Sequence, residues 1–147
     1  MKTKLFTYAF LMLLFVIGIT SCDKDDDSTP IITFNVTLNG SKEVPANASA
    51  ATGTATFKYD TITNILSGSV TYTGMTANNA HIHKGALGVK GGTVFPLGAA
   101  PFTSPLTLAP TVLDAAKRAD LMANLYYVNI HSTAFPDGEI RGQLLKP

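Results

Sequence analysis

The sequence is poor in thiols, indoles and charge. Of its 147 residues one is cysteine and none is tryptophan. A single thiol excludes an internal disulfide framework and any cysteine-rich zinc site. Charged side chains make up 14% of the chain, and the formal net charge is +1. Lys2 and Lys4 stand at the extreme N-terminus, and the rest of the chain carries 9 basic against 10 acidic side chains. No strong positive field is available, so no nucleic-acid partner is expected. Gly-x-Ser-x-Gly elbows, phosphate loops, HExxH and internal repeats are all absent from the sequence, which removes the common hydrolase, nucleotide-binding and zinc-protease motifs. The length suits one domain with one core.

What is present begins with a leader. Lys2 and Lys4 precede Leu5–Ile19, an almost unbroken apolar run of 15 residues. That is short for a membrane-spanning helix, which needs about 20 residues, but suits a secretory signal core. Ile19-Thr20-Ser21-Cys22 then places the lone cysteine at the end of the run. The arrangement resembles the lipobox of bacterial lipoproteins. That resemblance implies cleavage after residue 21 and a lipid on the Cys22 thiol. Each buried lipid methylene contributes about 0.8 kcal/mol, so several acyl chains anchor stably. The alternative is a leader cleaved nearby that leaves Cys22 a free thiol. Residues 22–30 are acidic and end in Pro30, which reads as a solvated tether. Lys24-Asp25-Asp26 resembles a surface-export signal of outer-membrane lipoproteins, so the domain is expected at the cell envelope, facing the surface or the periplasm.

Residues 31–147 read as one strand-rich domain. Ile32, Phe34, Val36 and Leu38 alternate with polar residues, the period of a half-buried strand. Similar alternation recurs at Ala55–Tyr59, at Leu66–Tyr72 (with Gly68 as a bulge or close-packing point), at Asn79–Lys84, at Leu125–Ser132 and at Glu139–Leu144. Shorter candidates lie at 93–97 and 105–108. One helix is expected near 112–123, capped by Thr111 with Asp114 closing a capping box and Leu113, Ala116, Leu121 and Leu125 facing the core. The fold class is all-β: an antiparallel, Greek-key-like β-sandwich of about eight strands with one short helix.

Several segments then carry a resemblance. Leu38-Asn39-Gly40 with Glu43-Val44-Pro45, Ala80-His81-Ile82-His83-Lys84-Gly85, Tyr127-Val128-Asn129-Ile130-His131-Ser132 and Pro136-Asp137-Gly138-Glu139-Ile140-Arg141-Gly142-Gln143-Leu144 resemble, in order, the motifs of the CHRD domain, the repeat of the developmental inhibitor chordin. The likeness covers about 32–145. It implies a secreted β-sandwich, with no settled activity and no enzymatic function carried over. A fainter likeness is to copper/zinc superoxide dismutase, which also uses a His-x-His strand and a later histidine. This chain lacks that family's additional histidines and its disulfide.

All three histidines, His81, His83 and His131, fall in these segments. Strand residues i and i+2 share a face about 6.6 Å apart, and a neighbouring strand lies about 4.8 Å away. Three imidazoles so placed suit copper or zinc and leave one position open. Asp137 or Glu139 would then take the proton of a second ring nitrogen, and Arg141 would pair with Glu139 across one face. Three uses stay open for the histidines: hydrogen bonds that stiffen the sandwich, a copper or zinc site, or contact with an organic ligand. Tyr126 and Tyr127 read as packing. The chain as a whole reads as a lipid-anchored envelope module for an unknown protein or small ligand. The alternatives are a three-histidine metal protein or a purely structural envelope protein.

Overall fold

A computed structural model describes residues 30–147. The leader, Cys22 and the tether up to Thr29 lie outside the described residues. Strands β1 (Ile31–Asn39), β2 (Thr52–Asp60), β3 (Ile65–Thr73), β4 (Ala77–Lys84), β5 (Gly92–Pro96), β6 (Leu106–Val112), β7 (Tyr126–Ser132) and β8 (Ile140–Gln143) are joined by short connections. A 3-10 turn, Gly40–Lys42, follows β1, and a single helix, α1 (Ala115–Met122), precedes β7. The fold is all-β, as the alternation implies.

The strands form one ladder in the order β5-β4-β7-β8-β1-β2-β3-β6, every pair antiparallel. It behaves as two four-stranded halves, because β8 meets β1 at a single residue pair, Asn39 opposite Arg141. The open ends approach one another as well: the Gly98 N–H, just past β5, donates to the Thr107 carbonyl of β6 at 2.9 Å. The sheet is thus nearly closed on itself.

One core fills the space inside. Phe34, Val36 and Leu38 of β1 pair in register with Phe57, Ala55 and Gly53 of β2, and Phe34, Val36, Leu38, Ala55, Phe57 and Tyr59 are fully or almost fully buried. The other half contributes Ala80, Ile82, Tyr126, Val128, Ile130 and Ile140 to the same cluster. Burying a side chain such as Phe57 or Ile130 contributes about 1.5–3 kcal/mol. Gly68 is both things that its position in the strand suggested. The β3–β6 register shifts between Leu66 and Gly68, and a Cβ at Gly68 would stand 2.4 Å from the Thr56 carbonyl.

Two local expectations need correction. The helix begins later than 112, because Thr111 and Val112 still pair with β3. Its cap is Asp114, whose side chain accepts from the Lys117 N–H at 2.8 Å. Capping therefore falls to the residue that the sequence placed third in a box. Ala116 is exposed, and Leu121 alone in α1 is buried. Of the expected stripe Leu113 and Leu121 reach the core, with Met122 packed beside them, whereas Ala116 does not.

Strand β7 does the most to position the site. Six of its seven residues are buried, so both of its faces are covered. Tyr126, Val128 and Ile130 face the core. Tyr127, Asn129 and His131 face outward, under the Gly85–Gly91 loop and the turn before β8.

Candidate metal centre

The three histidines meet on the outer face of the β4–β7 pair. Ala80 and Ile82 fill the core side of β4, which turns His81 and His83 outward. In the β4–β7 register Asn79 lies opposite His131 and His81 opposite Asn129. His131 is therefore the diagonal neighbour of His81, the second-closest relation across an antiparallel pair. Ring centroids stand 5.4 Å apart for His81–His83, 5.4 Å for His81–His131 and 5.9 Å for His83–His131. One ring nitrogen from each histidine lies within 4.8 Å of the other two.

Hydrogen bonds fix what two of the rings present. His83 Nδ1 lies 3.0 Å from the Gly91 carbonyl, and His131 Nδ1 lies 3.0 Å from the Pro136 carbonyl. A carbonyl oxygen only accepts, so each Nδ1 carries the proton. Each neutral ring then keeps a lone pair on Nε2. His83 Nε2, His131 Nε2 and His81 Nδ1 are buried atoms without a hydrogen-bond partner. Buried polar atoms are nearly always paired, so three orphans in one cluster ask for an explanation. Burial lowers the proton affinity of His81, and His131 and His83 lower it further. Burial also lowers that of His83, against its bond to Gly91 and with help from His131 and Arg141. Both rings are biased toward the neutral, ligating form.

A layered support backs His83. The Tyr127 ring stacks on it at 5.1 Å and 12°. The Arg141 guanidinium lies on Tyr127, 3.4 Å from its ring centroid. The Tyr127 hydroxyl accepts from the Gly91 N–H at 3.0 Å. Gly91 thus joins the tyrosine and the histidine through one residue. Tyr127 is more than packing, and the role of Gly91 was hidden among the loop glycines.

The residues expected to orient the rings act elsewhere. Asp137 forms an exposed ion pair with Lys90 at 3.1 Å. Glu139 accepts from the Ser49 hydroxyl at 2.6 Å. Arg141 donates to the Ala86 carbonyl at 3.1 Å and to Gln143 Oε1 at 3.2 Å rather than pairing with Glu139. Carbonyls take the second ring protons because the loops pass directly beside β4 and β7. Cys22 lies outside the described residues.

An all-β domain of nearly closed antiparallel sheet, with its histidines clustered on one outer face, is the class that fold and site define. The family model described as CHRD domain matches residues 34–144. The chain belongs to the CHRD domain family, and at the family level that suggests a binding or interaction module. No curated protein and no solved structure matches the chain.

Proposed function

We propose that this CHRD domain binds a transition metal, copper or zinc, through His81, His83 and His131. One observation carries the reading: three histidines bring one ring nitrogen each within 4.8 Å of one another, every ring has a buried nitrogen without a partner, and carbonyl bonds to Nδ1 leave the lone pair of two rings on Nε2. Imidazole suits copper and zinc, whereas calcium and magnesium take oxygen ligands. Zinc–nitrogen bonds of about 2.0–2.1 Å keep ligand nitrogens within about 4.2 Å of one another. Three protein ligands leave a fourth position for water or a bound molecule. Gly91 and Pro136 supply the outer hydrogen bonds that hold the ligand rings.

Titration of the purified, metal-stripped full chain with zinc or cuprous ion tests the reading. One equivalent is expected to bind and to raise the unfolding temperature, because a ligand of the native state stabilises it by mass action. His81→Ala and His131→Ala are expected to abolish both effects while leaving the fold intact. A wild-type chain that folds and binds no metal above background rules the site out.

We also place the domain at a bacterial cell envelope, tethered by a lipid on Cys22. The lipobox-like Ile19–Cys22 segment and the acidic tether support this. Cys22→Ala is expected to move the protein from the membrane fraction to the soluble fraction. Continued membrane retention of that variant would exclude lipid anchoring.

A further inference from the structure

A second set of buried polar groups lies beside the histidines and takes no part in holding them. Glu43, just after the 3-10 turn, is 7% exposed. Its Oε1 has no hydrogen-bond partner, and its Oε2 has the Val44 N–H at 3.3 Å. Asn129 of β7 is buried too, and its Nδ2 donates to the Asp137 carbonyl at 3.4 Å. That carbonyl only accepts, so the amide turns its Nδ2 toward it and Oδ1 is the other end. Asn129 Oδ1 is likewise buried without a partner. The Asn129 amide and the Glu43 carboxyl both crowd Gly138, where a Cβ would stand 2.4 Å from Asn129 Oδ1, 2.5 Å from Asn129 Nδ2 and 2.7 Å from Glu43 Oε1. Gly138 has φ +131°, a conformation that glycine tolerates and other residues resist. Two converging buried acceptors can both be satisfied by one shared proton.

We propose that Glu43 is a proton-held latch: its carboxyl keeps a proton on Oε1, donates it to Asn129 Oδ1, and so fastens segment 43–47 to the turn at 135–138. The same two segments are stitched further along, where Asn47 Nδ2 lies 3.3 Å from the Gly138 carbonyl and 3.1 Å from the Glu139 carbonyl. Between them lies a cleft of about 220 Å³, lined in part by Val44, Pro45, Phe135 and Pro136. The turn also carries the Pro136 carbonyl that holds His131. The latch itself does not depend on the metal reading.

The charges around Glu43 leave burial in control. Burial raises its pKa to about 7, against the Val44 N–H, Arg141 of β8 and Lys90 of the β4–β5 loop, and with a small push from Asp137. Glu139, the other nearby carboxylate, is engaged by Ser49. The folded chain therefore keeps the proton to about pH 7, whereas an exposed glutamate releases it near 4.5. Folding binds the proton more tightly, so stability falls as pH rises from about 4.5 to about 7 and the loss levels off above that.

The chain contains two glutamates, Glu43 and Glu139, so glutamate carboxyl-carbon labelling of the purified full-length protein gives two signals. One is expected to titrate with a midpoint near 7, and Glu43→Gln is expected to remove it. The amide introduced by Glu43→Gln donates at every pH, so this variant should lose the decline in unfolding temperature between pH 5 and pH 8 that the wild type shows. A Glu43 midpoint near 4.5 overturns the latch, whether or not the variant folds. A variant that declines in parallel with the wild type overturns it as well.

Discussion

Alanine at Gly91 is expected to destabilise the domain by about 3 kcal/mol and to weaken zinc binding by about 10- to 100-fold. The steric argument is direct: a Cβ at Gly91 would stand 1.5 Å from the Lys84 carbonyl oxygen. That atom belongs to the backbone of β4, so no side-chain rotation relieves the overlap and the loop itself must move. The movement carries away two functional groups at once. The Gly91 carbonyl holds the His83 Nδ1 proton, and the Gly91 N–H donates to the Tyr127 hydroxyl. Without that carbonyl His83 is free to change tautomer, which removes the lone pair from Nε2. Gly92→Ala is the internal control, because nothing lies within 4 Å of the Cβ it would add. Denaturant unfolding and zinc titration of both variants check the prediction. Wild-type stability and affinity in Gly91→Ala would refute it.

Much of the fold was legible because its strands are two-faced. In β1, β2 and β4 a polar residue follows each apolar one through most of the strand, so the period of 2 stood out and set the core face. What alternation cannot encode is which strands become neighbours. The placement of β7 and β8 between β4 and β1 depends on contacts between segments far apart in the chain. The extent of β6 was missed for another reason. Pro110 and Ala109 interrupt its apolar pattern, yet the strand runs to Val112 on the end of the sheet ladder, where a proline is tolerated.

The site shows the same division. That His81 and His83 share a face follows from their spacing alone. That His131 joins them needs the Asn79–His131 register, which the sequence suggested only through matching phase. The supporting shell was less visible. Asp137 and Glu139 were attractive as carboxylates, but backbone carbonyls at Gly91 and Pro136 do that work, and a carbonyl leaves no mark on residue type. Glu43 and Asn129 went unnoticed because a lone polar residue beside apolar ones looks like a solvated rim. One signal could have flagged Asn129: β7 carries it within a stretch of aromatic and β-branched residues, where a polar side chain is either at the surface or committed to a partner.

Removal of the Arg141 side chain is expected to cost about 3–5 kcal/mol, a large share of the stability of a domain this size. Arg141 is 2% exposed and among the largest fully buried side chains of the domain. Burial lowers its pKa, while Tyr127 and Glu43 favour the charged form. The guanidinium remains a cation, spread flat on Tyr127 and donating to Ala86 and Gln143. Arg141→Ala leaves a cavity, takes one of two donors from the Ala86 carbonyl, which keeps the Val89 N–H, and removes the floor beneath Tyr127. Arg141→Lys should recover less than half of the loss, because an ammonium can neither lie flat on the ring nor reach both acceptors in one plane. Equilibrium unfolding in urea measures both variants. A loss under about 1 kcal/mol in Arg141→Ala would show that the buried cation costs nearly as much as its contacts return, as happens in some buried ion pairs. The expected larger loss would identify the Arg141–Tyr127–His83 stack as the feature that ties the stability of the sheet to the alignment of its histidines.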